Sequence, residues 1–443
     1  MINLMSSILK DFAVTFIGTK LYLMRRSGIY KQKKKEYREL WKKSLEEQQK
    51  IQTEKLLNIF KHAKNKSRFY SRKYANFNEP LLSKLPFLEK EELREKIDEI
   101  VIGNKNKYQA IYTGGTTGKG LVVYLKPTSL QDRFSILDLF LEAHGYRFRK
   151  KTAWFSGRKI LYESDKRNNV FWRTNYFLNI RYYSSFNINQ TNLPVYIENL
   201  NKYHPEFIVS FPSSVYELAR YMQTHSIKPG FQLKTIFTTA ETLYVHQREI
   251  IEEVFNCKVR NQYASSEGAP FIIECSKGNL HMEFGSGIIE VLDENNKPAN
   301  EGLAVVTSFM NKETPLIRYK IGDRLKLSDK NKKCSCGWNT PMVEEIIGRD
   351  NDYIDIPGKA RVWNIHFGDC LKGIKSIINF QVELVEDKFL NIYLVADKNE
   401  FDKKDKEKFL KKLKERIGDF PVKFSFVEKI APSKSGKHLL IKK

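Results

Sequence analysis

The spacing of apolar residues changes along the chain and predicts different elements in different segments. Between residues 37 and 75, apolar positions recur at helical spacing among many charges, which predicts long, charged helices. Between residues 110 and 330, short apolar runs alternate with helical segments, which is typical of an α/β fold. Beyond Gly348, short strands such as 391–395 and one lysine-rich helix over 403–417 predict a small α+β domain.

Two short apolar runs inside the α/β segment end in polar residues. The run over 205–210 predicts a strand, and Ser213 behind it is predicted to cap a helix over 215–222. Phe237-Thr238-Thr239 predicts a second buried strand, with Glu241 at its end. Because open α/β sheets place ligand contacts at strand ends, Glu241 is a candidate binding residue.

The first 36 residues have a separate pattern, which predicts an amphipathic helix followed by a basic segment. Lys10, Asp11 and Lys20 lie off the apolar face of this helix. The face consists of Met5, Ile8, Leu9, Phe12 and Phe16. The basic residues behind it are Arg25, Arg26, Lys31, Lys33, Lys34 and Lys35. No apolar run reaches the ~18 residues of a membrane-spanning helix. The face is therefore expected either to lie on an anionic membrane or to dock on the protein itself or a partner.

The composition is that of a globular protein. With 443 residues and 41% hydrophobic positions, the chain can bury a large core and fold as about two to three domains. A net charge of +24 attracts anions such as ATP, CoA, anionic glycans and an anionic inner leaflet. The lysines are spread along the chain and no zinc-finger, homeodomain or RNA-recognition signature is present. No nucleic-acid partner is therefore expected, and a basic nucleic-acid-binding protein is kept as the alternative class.

Five cysteines and no cleavable signal peptide indicate a reducing compartment, and we expect the cytoplasm. Cys275 with His281, and Cys334 with Cys336, lie in two turn-like segments that together offer three thiolates and an imidazole. Such a set fits a closed structural zinc site of the Cys3His kind. Two unrelated turns with free thiols are the alternative, because Cys-x-Cys is tighter than the usual knuckle spacing.

Residues 112–119 read Tyr-Thr-Gly-Gly-Thr-Thr-Gly-Lys and predict a phosphate-binding loop between two strand-like segments. Glycines let the backbone bend around a polyphosphate, threonine hydroxyls donate hydrogen bonds, and the lysine adds charge. The candidate phosphate contacts are Thr113, Gly114, Gly115, Thr116, Thr117, Gly118 and Lys119. A Walker A loop is excluded, because Thr113 replaces its first glycine and Gly120 follows the lysine. A hairpin turn rich in glycine and threonine is the alternative for this segment alone.

This loop and several further segments resemble motifs of the adenylate-forming (acyl-CoA synthetase-like) superfamily. They occur in the same order as in that family. The resemblance is to its phenylacetate-CoA ligase branch, which includes ligase-like proteins of capsular polysaccharide clusters. The segments are Thr-Ala-Glu at 239–241, Tyr-Ala-Ser-Ser-Glu at 263–267, Arg-Tyr-Lys-Ile-Gly-Asp at 318–323, Gly-Arg-Asp-Asn-Asp at 348–352 and Ser-Gly-Lys at 435–437. The similarity runs from about residue 50 to the C-terminus. Asn351 stands where the hinge aspartate is usual, and Ala264 where glycine is usual.

The resemblance implies an α/β fold with a large adenylate-forming N-terminal domain of mixed β-sheets and helices over 37–348. A small α+β swinging domain follows over 349–443, and the amphipathic segment 1–36 stands apart. The implied catalytic residues are Lys437, Glu267 and Thr113. The implied nucleotide contacts beyond the phosphate loop are Ala240, Glu241 and Tyr263 at the adenine, Asp323 at the ribose and Arg349 at the hinge. Glu267 is implied to hold Mg²⁺, and a comparable arrangement in the ligase branch favours zinc at Cys275, His281, Cys334 and Cys336.

The expected function is that of an ATP-dependent ligase. ATP and a carboxylate would give an acyl-adenylate and pyrophosphate, and an amine, thiol or hydroxyl would then accept the acyl group. The resemblance favours surface polysaccharide biosynthesis, in capsule or O-antigen, with a sugar, an amino acid or CoA as the acceptor. An aryl or fatty acyl-CoA ligase is the alternative. The expected location is the cytoplasm, with the N-terminal segment as a candidate peripheral anchor on the inner face of the cell membrane.

Overall fold

The computed structural model describes residues 7–112, 120–329, 331–349, 352–357, 361–371, 374, 376–396, 401–433 and 437–442. The helices are α1 (Ser7–Arg25), α2 (Tyr30–Leu40), α3 (Leu45–Lys66), α4 (Arg68–Lys73), α5 (Lys90–Glu95), α6 (Ile97–Ile100), α7 (Pro127–Ala143), α8 (Glu163–Arg167), α9 (Leu193–Tyr203), α10 (Pro212–Thr224), α11 (Val245–Phe255), α12 (Asn364–Gly368) and α13 (Lys403–Ile417).

The strands are β1 (Gln109–Tyr112), β2 (Val122–Leu125), β3 (Thr152–Ser156), β4 (Trp172–Asn175), β5 (Ile180–Ser184), β6 (Phe207–Ser210), β7 (Thr235–Thr238), β8 (Lys258–Tyr263), β9 (Ile272–Glu274), β10 (Leu280–Met282), β11 (Gly287–Leu292), β12 (Glu301–Ser308), β13 (Tyr319–Leu327), β14 (Met342–Arg349), β15 (Tyr353–Asp355), β16 (Arg361–Trp363), β17 (Ile377–Val385), β18 (Phe389–Ala396), β19 (Val422–Phe426) and β20 (Ile441–Lys442).

The chain forms two compact units. The first unit comprises Met1–Thr19, Tyr146–Arg260 and Ile347–Lys443. The second comprises Lys20–Gly145 and Asn261–Ile346. None of the described helices combines the length and the hydropathy that a membrane span needs.

The first unit contains the α/β arrangement that its apolar runs predict. Its strands lie in the order β7-β6-β3-β5-β4, in which β3 pairs parallel with both β5 and β6, and β6 with β7. The edge strand β4 pairs antiparallel with β5. Helices α9, α10 and α11 supply buried side chains such as Tyr196, Val215 and Ile251 to the same core. The strands expected over 205–210 and 237–239 are present as β6 and β7.

The start of α10 differs from the sequence prediction, because Ser213 is not the cap. The helix begins at Pro212, and the capping position is Phe211, which makes no side-chain capping bond. Proline at the first helical position has no N–H to satisfy and a favourable φ angle, so it sets the start of the helix itself. Ser213 is thereby the first residue of the helix with a backbone N–H to donate.

The C-terminal part of the first unit is the small α+β structure expected from the sequence. Its sheet has the order β19-β18-β17-β20, with an antiparallel pair β17–β18 and parallel pairs at both edges. Phe409 and Leu413 of α13 pack against buried side chains of this sheet, including Phe380 and Leu394. The predicted helix over 403–417 and the strand over 391–395 are both confirmed.

The second unit departs from the predicted alternation of strands and helices. From Asn261 to Ile346 its regular elements are strands, in the order β11-β12-β13-β14-β10-β9-β8. Tight turns make this possible: at the β11–β12 connection Asp293 Oδ1 accepts from Asn295 N–H at 2.8 Å, and Asn296 adopts a φ of 58°. Antiparallel strands need only such short connections, whereas parallel strands need a crossover. The charged helices expected before residue 75 are α2, α3 and α4.

Candidate functional site

The predicted phosphate loop lies between two paired strands. β1 and β2 pair antiparallel, with Tyr112 opposite Val122. The loop residues themselves lie outside the described residues: Thr113, Gly114, Gly115, Thr116, Thr117, Gly118 and Lys119. The following strand is fixed to the second unit, because Tyr124 N–H donates to Thr314 Oγ1 at 3.0 Å. This loop is followed by a strand, whereas a Walker A loop is followed by a helix, so the two types of loop differ.

In the second unit, the adenine and ribose residues implied by the resemblance are in contact. The Tyr263 hydroxyl donates to Asp323 Oδ2 at 2.5 Å, and Asp323 is buried. A bulge places this carboxylate. Leu303 pairs with Arg324 and Val305 with Lys320, so the pairing moves two residues along β12 but four residues along β13. Gly322 has a φ of +80°, which favours glycine and lets the strand bend. The bulge therefore aims Asp323 at Tyr263.

The start of the same strand is held by Arg318. Its guanidinium donates to both carboxylate oxygens of Glu290, at 3.0–3.3 Å, and to the Leu85 carbonyl at 2.6 Å. The residue is buried and has a φ of 51°, a conformation that few non-glycine residues adopt. A paired, bidentate arginine of this kind fixes the register at the entrance to the bulge.

Glu267 meets the requirement for a cation ligand. It is 1% exposed, and its Oε1 has no hydrogen-bond partner among the described residues. Nearby, Arg133 donates to the Ser265 and Ser266 carbonyls, at 2.5 and 3.2 Å. Burial lowers the pKa of Arg133 to about 10, and the Glu267 charge opposes that shift. A buried carboxylate oxygen without a donor is costly, and a hard cation such as Mg²⁺ would satisfy it.

In the first unit, the Glu241 carboxylate joins two segments that are distant in sequence. It accepts the Ser213 N–H at 3.1 Å and the His438 N–H at 2.9 Å. Burial raises the pKa of Glu241, and the two N–H donors and the Lys437 charge oppose that shift. Ala240, just before it, has a φ of 71°, an uncommon conformation for alanine. The structure thus brings the predicted adenine residue and the predicted catalytic lysine together.

Lys437 is joined to Ser433 by two hydrogen bonds. Lys437 N–H donates to Ser433 Oγ at 3.2 Å, and Ser433 N–H donates to the Lys437 carbonyl at 2.8 Å. Burial lowers the pKa of the neighbouring His438 to about 4, so this imidazole is neutral near pH 7. Ser435 and Gly436, the predicted pivot, lie outside the described residues.

The sequence analysis missed a second carboxylate near Glu241. Glu217 lies on α10 and accepts from Asn379 Nδ2 of β17 at 3.1 Å. Burial raises the pKa of Glu217 to about 7, and the charge of Glu241 adds to the shift. The available signal was a lone glutamate between Tyr216 and Leu218 in an apolar helix segment.

The predicted hinge residues lie at the end of β14. Gly348 has a φ of +118°, and a Cβ there would meet the Asn364 amide at 3.2 Å and Thr242 Oγ1 at 3.3 Å. The backbone conformation therefore favours glycine, and a larger residue would require the Asn364 and Thr242 side chains to shift slightly. Arg349 is the last residue of the strand, and its backbone carbonyl accepts a hydrogen bond from the Asp352 N–H at 3.0 Å. Asp350 and Asn351 lie outside the described residues.

The two cysteine-bearing turns converge in the second unit, so they are not unrelated. Ligand atoms of Cys275, His281, Cys334 and Cys336 all lie within 4.8 Å of one another. Cys275 and Cys334 sulfurs are 3.7 Å apart, and Cys336 Sγ lies 3.5 Å from His281 Nε2. A tetrahedral ion with bonds of ~2.3 Å to sulfur and ~2.0 Å to nitrogen places its ligands about 3.8 and 3.5 Å apart.

The surroundings of this cluster favour metal binding. His281 Nδ1 lies 3.2 Å from the Thr340 carbonyl, so the Nδ1 proton is donated there and the Nε2 lone pair faces the sulfurs. Asn279 Nδ2 donates to Cys334 Sγ at 3.2 Å, and Trp338 N–H donates to Cys336 Sγ at 3.3 Å. Such donors stabilise thiolates. Cys370 is buried and Cys257 packs at the edge of an apolar cluster, outside this group.

Comparison with known proteins identifies relatives of this chain. The family described as the CapK C-terminal domain matches residues 356–443. Protein CapK of Staphylococcus aureus is 34% identical over 406 residues, which is 87% of both proteins. Indoleacetate–lysine synthetase of Pseudomonas savastanoi is 29% identical over 142 residues, 31% of this chain and 34% of the synthetase.

Solved structures show the fold. A 2-hydroxyisobutyryl-CoA ligase in the postadenylation state, in complex with R3-HIB-AMP, superposes with a TM-score of 0.73. It is 16% identical, and the match covers 91% of both chains. The anthranilate-CoA ligase AuaEII, in complex with anthranoyl-AMP, has a TM-score of 0.52 at 12% identity, over 76% of this chain and 66% of that one. The predicted α/β fold, with large mixed sheets and a smaller C-terminal domain, is confirmed.

We expect Glu217→Gln to flatten the dependence of stability on pH. Glu217 has a pKa raised from 4.5 to about 7, so the folded protein keeps a proton that the unfolded chain has released in this range. Stability therefore falls as pH rises through the window. The neutral glutamine keeps the Asn379 contact and avoids this loss, which is at most about 3 kcal/mol.

Thermal midpoints of wild type and variant near pH 5 and pH 8 measure this effect. The thermal midpoint of Glu217→Gln should exceed that of wild type near pH 8 and equal it near pH 5. Glu54→Gln, at an exposed position of α3, is the matched control. Parallel pH profiles for Glu217→Gln and wild type would contradict the raised pKa.

Proposed function

The chain belongs to the CapK family of adenylate-forming ligases, and from this premise we propose that it activates a carboxylate with ATP and passes the acyl group to an amine acceptor. The observation that carries the proposal is the Glu241–His438 contact, at 2.9 Å. It joins the segment assigned to the adenine with the segment that carries Lys437. Adenylate formation requires such a cation near the nucleotide.

In the first half-reaction, an oxygen of the substrate carboxylate attacks the α-phosphorus of ATP. The new bond joins carboxylate and phosphate, and the bond to pyrophosphate breaks in line with it. Negative charge grows on the phosphoryl oxygens during this step. We assign the stabilisation of that charge to the Lys437 ammonium. The expected pivot at Ser435 and Gly436 would let Lys437 leave for the second half-reaction.

The remaining predicted residues are assigned to the nucleotide. Thr113, Thr116, Thr117 and Lys119 would bind its phosphates, with Gly114, Gly115 and Gly118 allowing close backbone approach. Tyr263, Ala240 and Glu241 would border the adenine, and Asp323 would accept the ribose hydroxyls. Glu267 would hold Mg²⁺, which neutralises phosphate charge when bound. The support from geometry is the Tyr263–Asp323 hydrogen bond and the buried Glu267 oxygen without a donor.

In the second half-reaction, the acceptor attacks the acyl carbonyl carbon and AMP leaves. The relative named indoleacetate–lysine synthetase couples an acid with an amino acid, which supports an amine as the acceptor. We place the reaction in surface polysaccharide synthesis in the cytoplasm, for example amide formation on a sugar, because the motifs resemble those of capsule-cluster ligases and the chain is similar to Protein CapK. CoA is the second candidate acceptor, because CoA ligases share the fold.

The proposal predicts acid-dependent ATP–pyrophosphate exchange. A panel of uronic acids, amino acids, aryl acids and fatty acids should contain at least one acid that stimulates exchange well above the rate without acid. Amino sugars, amino acids and CoA, added separately to the active acid, then identify the acceptor by the product formed. Absence of exchange with every class, in protein that binds no ATP by calorimetry, would contradict the ligase assignment.

Lys437→Ala is predicted to abolish the first half-reaction while ATP still binds. Loss of one group that stabilises transition-state charge slows such steps by roughly 100- to 1,000-fold. Exchange kinetics with the active acid measure the loss, and calorimetry measures ATP affinity. Lys429→Ala, an exposed lysine of the same C-terminal segment, is the control and should leave both unchanged. Adenylate formation at the wild-type rate in Lys437→Ala would remove Lys437 from the mechanism.

We also propose that the Cys3His cluster holds a structural zinc ion. Protein purified without chelator is expected to contain ~1 zinc per chain, because four protein ligands close a tetrahedral site. Elemental analysis measures the content. The Cys334→Ser variant should lack zinc and have a lower thermal midpoint than wild type. The Cys257→Ser variant, which is changed outside the cluster, should have the zinc content and thermal midpoint of wild type. Wild-type protein without zinc would refute the site.

A further inference from the structure

Helix α1 docks on the first unit through its polar side, not through its apolar side. Lys10 and Asp11 are buried, at 5% and 8% exposure. Lys10 Nζ donates to Asp165 Oδ1 at 2.8 Å. Arg173 of the edge strand β4, 1% exposed, pairs with the same carboxylate and lies 3.8 Å from Asp11. A buried network of ion pairs therefore holds the first half of the helix.

Hydrogen bonds and close packing continue this contact along β4. Thr15 Oγ1 donates to the Thr174 carbonyl at 3.4 Å and accepts the Tyr176 N–H at 3.1 Å. At Gly18 a Cβ would lie 2.6 Å from the side-chain amide nitrogen of Asn175, so a larger residue would have to displace that side chain. The polar and small side of α1 is thus fitted to the edge of the sheet.

The apolar side of α1 is consequently left exposed to solvent. Phe12 is 59% exposed, Phe16 74% and Ile8 62%. Leu9 and Ile17 are more than half exposed on the adjacent row. Lys20, expected off this face, is exposed one turn after Phe16 and ends the row. Met5 lies outside the described residues.

Three further aromatic residues extend this surface beyond the helix. Tyr176, in the turn after β4, is 52% exposed, and its ring centroid lies 6.2 Å from that of Phe12. Phe177 is 40% exposed and lies 6.0 Å from Phe148, which is 50% exposed. The Arg149 guanidinium sits over the Phe177 ring at 5.9 Å. Helix, turn and loop form one patch, which we call the α1 surface: Ile8, Leu9, Phe12, Phe16, Ile17, Phe148, Arg149, Tyr176 and Phe177.

The exposed charge beside the α1 surface is mainly positive. Residues 7–20, 146–151 and 172–181 contain one carboxylate, Asp11, which is buried. The same stretches contain eight basic residues, of which Lys20, Arg147, Arg149 and Lys151 are exposed. Lys10 and Arg173 are buried and paired with Asp165, and Lys150 pairs with Glu206. Exposed aromatic rings beside exposed cations match the boundary of an anionic bilayer, where rings enter the headgroup layer and cations meet lipid phosphates.

We propose that the α1 surface docks this protein on an anionic lipid bilayer, with α1 lying in the plane of the interface. The proposal does not depend on the ligase activity. A second copy of the chain fits the surface less well, because a twofold contact would place like charges together. The helix is already held by its polar side, so lipid binding requires no undocking.

The test is co-sedimentation of the full-length protein with vesicles of phosphatidylcholine alone or mixed with phosphatidylglycerol. Wild type should bind the anionic vesicles, and added salt should weaken that binding. Phe12→Glu/Phe16→Glu should lower the partition coefficient at least ~10-fold, because each buried phenylalanine contributes more than that factor in transfer. Leu45→Glu/Leu81→Glu, at exposed apolar positions elsewhere, is the matched control and should bind like wild type.

Circular dichroism of each variant checks folding, and Lys20→Glu/Arg149→Glu gives a second, charge-based route. The binding of that variant to anionic vesicles should be weaker than that of wild type at low salt and should change little when salt is added. Wild type that stays in the supernatant would overturn the proposal, as would Phe12→Glu/Phe16→Glu that sediments like wild type. If light scattering instead shows a wild-type dimer that Phe12→Glu/Phe16→Glu dissociates, while vesicles bind neither, the surface joins two copies of the chain.

Discussion

The Glu241 carboxylate holds together the candidate site of the first unit. Its two oxygens accept one N–H from the start of α10 and one from the segment after Lys437. The α10 donor is available because Pro212 occupies the first helical position without an N–H, so Ser213 is the first to point outward. A helix N-terminus favours an anion there, and the carboxylate in turn fixes a residue 197 positions later.

This arrangement concentrates acid groups, and protonation controls the resulting repulsion. Glu217 lies near Glu241, and burial with this neighbour raises the Glu217 pKa to about 7. Lys437 opposes the raised pKa of Glu241. Burial and the neighbouring charge therefore favour protonation of Glu217, whereas the Lys437 charge favours the ionised form of Glu241. Moving Lys437 away would increase the proton affinity of Glu241, so charge balance and lysine position are linked.

The sequence was sufficient for the elements and the motif residues that chemistry constrains locally. Strand β7 with Glu241 at its end and helix α13 followed from residue types and spacing, whereas the choice of one four-ligand cluster over two unrelated turns rested on the family resemblance. Ser213 was assigned wrongly, because its side chain suggested a cap while its backbone N–H is the group in use. Glu217 was missed, since burial raises its pKa and that burial depends on tertiary packing, in which its hydrogen-bond partner Asn379 lies 162 residues away. The antiparallel run after Asn261 was missed because strands paired across tight turns and strands joined by helices have similar apolar runs.

Helix α1 shows most clearly why an apolar pattern alone does not decide which side of a helix docks. Burying a lysine and an aspartate is unfavourable unless opposite charges lie close by. Here Asp165 pairs with Lys10, and Arg173 lies 3.8 Å from Asp11. Those partners lie more than 150 residues away, so no local pattern reveals them. Once the ion pairs fix the polar side, the phenylalanines must face outward. An amphipathic helix held in this way resembles a soluble surface helix in sequence, yet it presents its apolar side to whatever the protein meets.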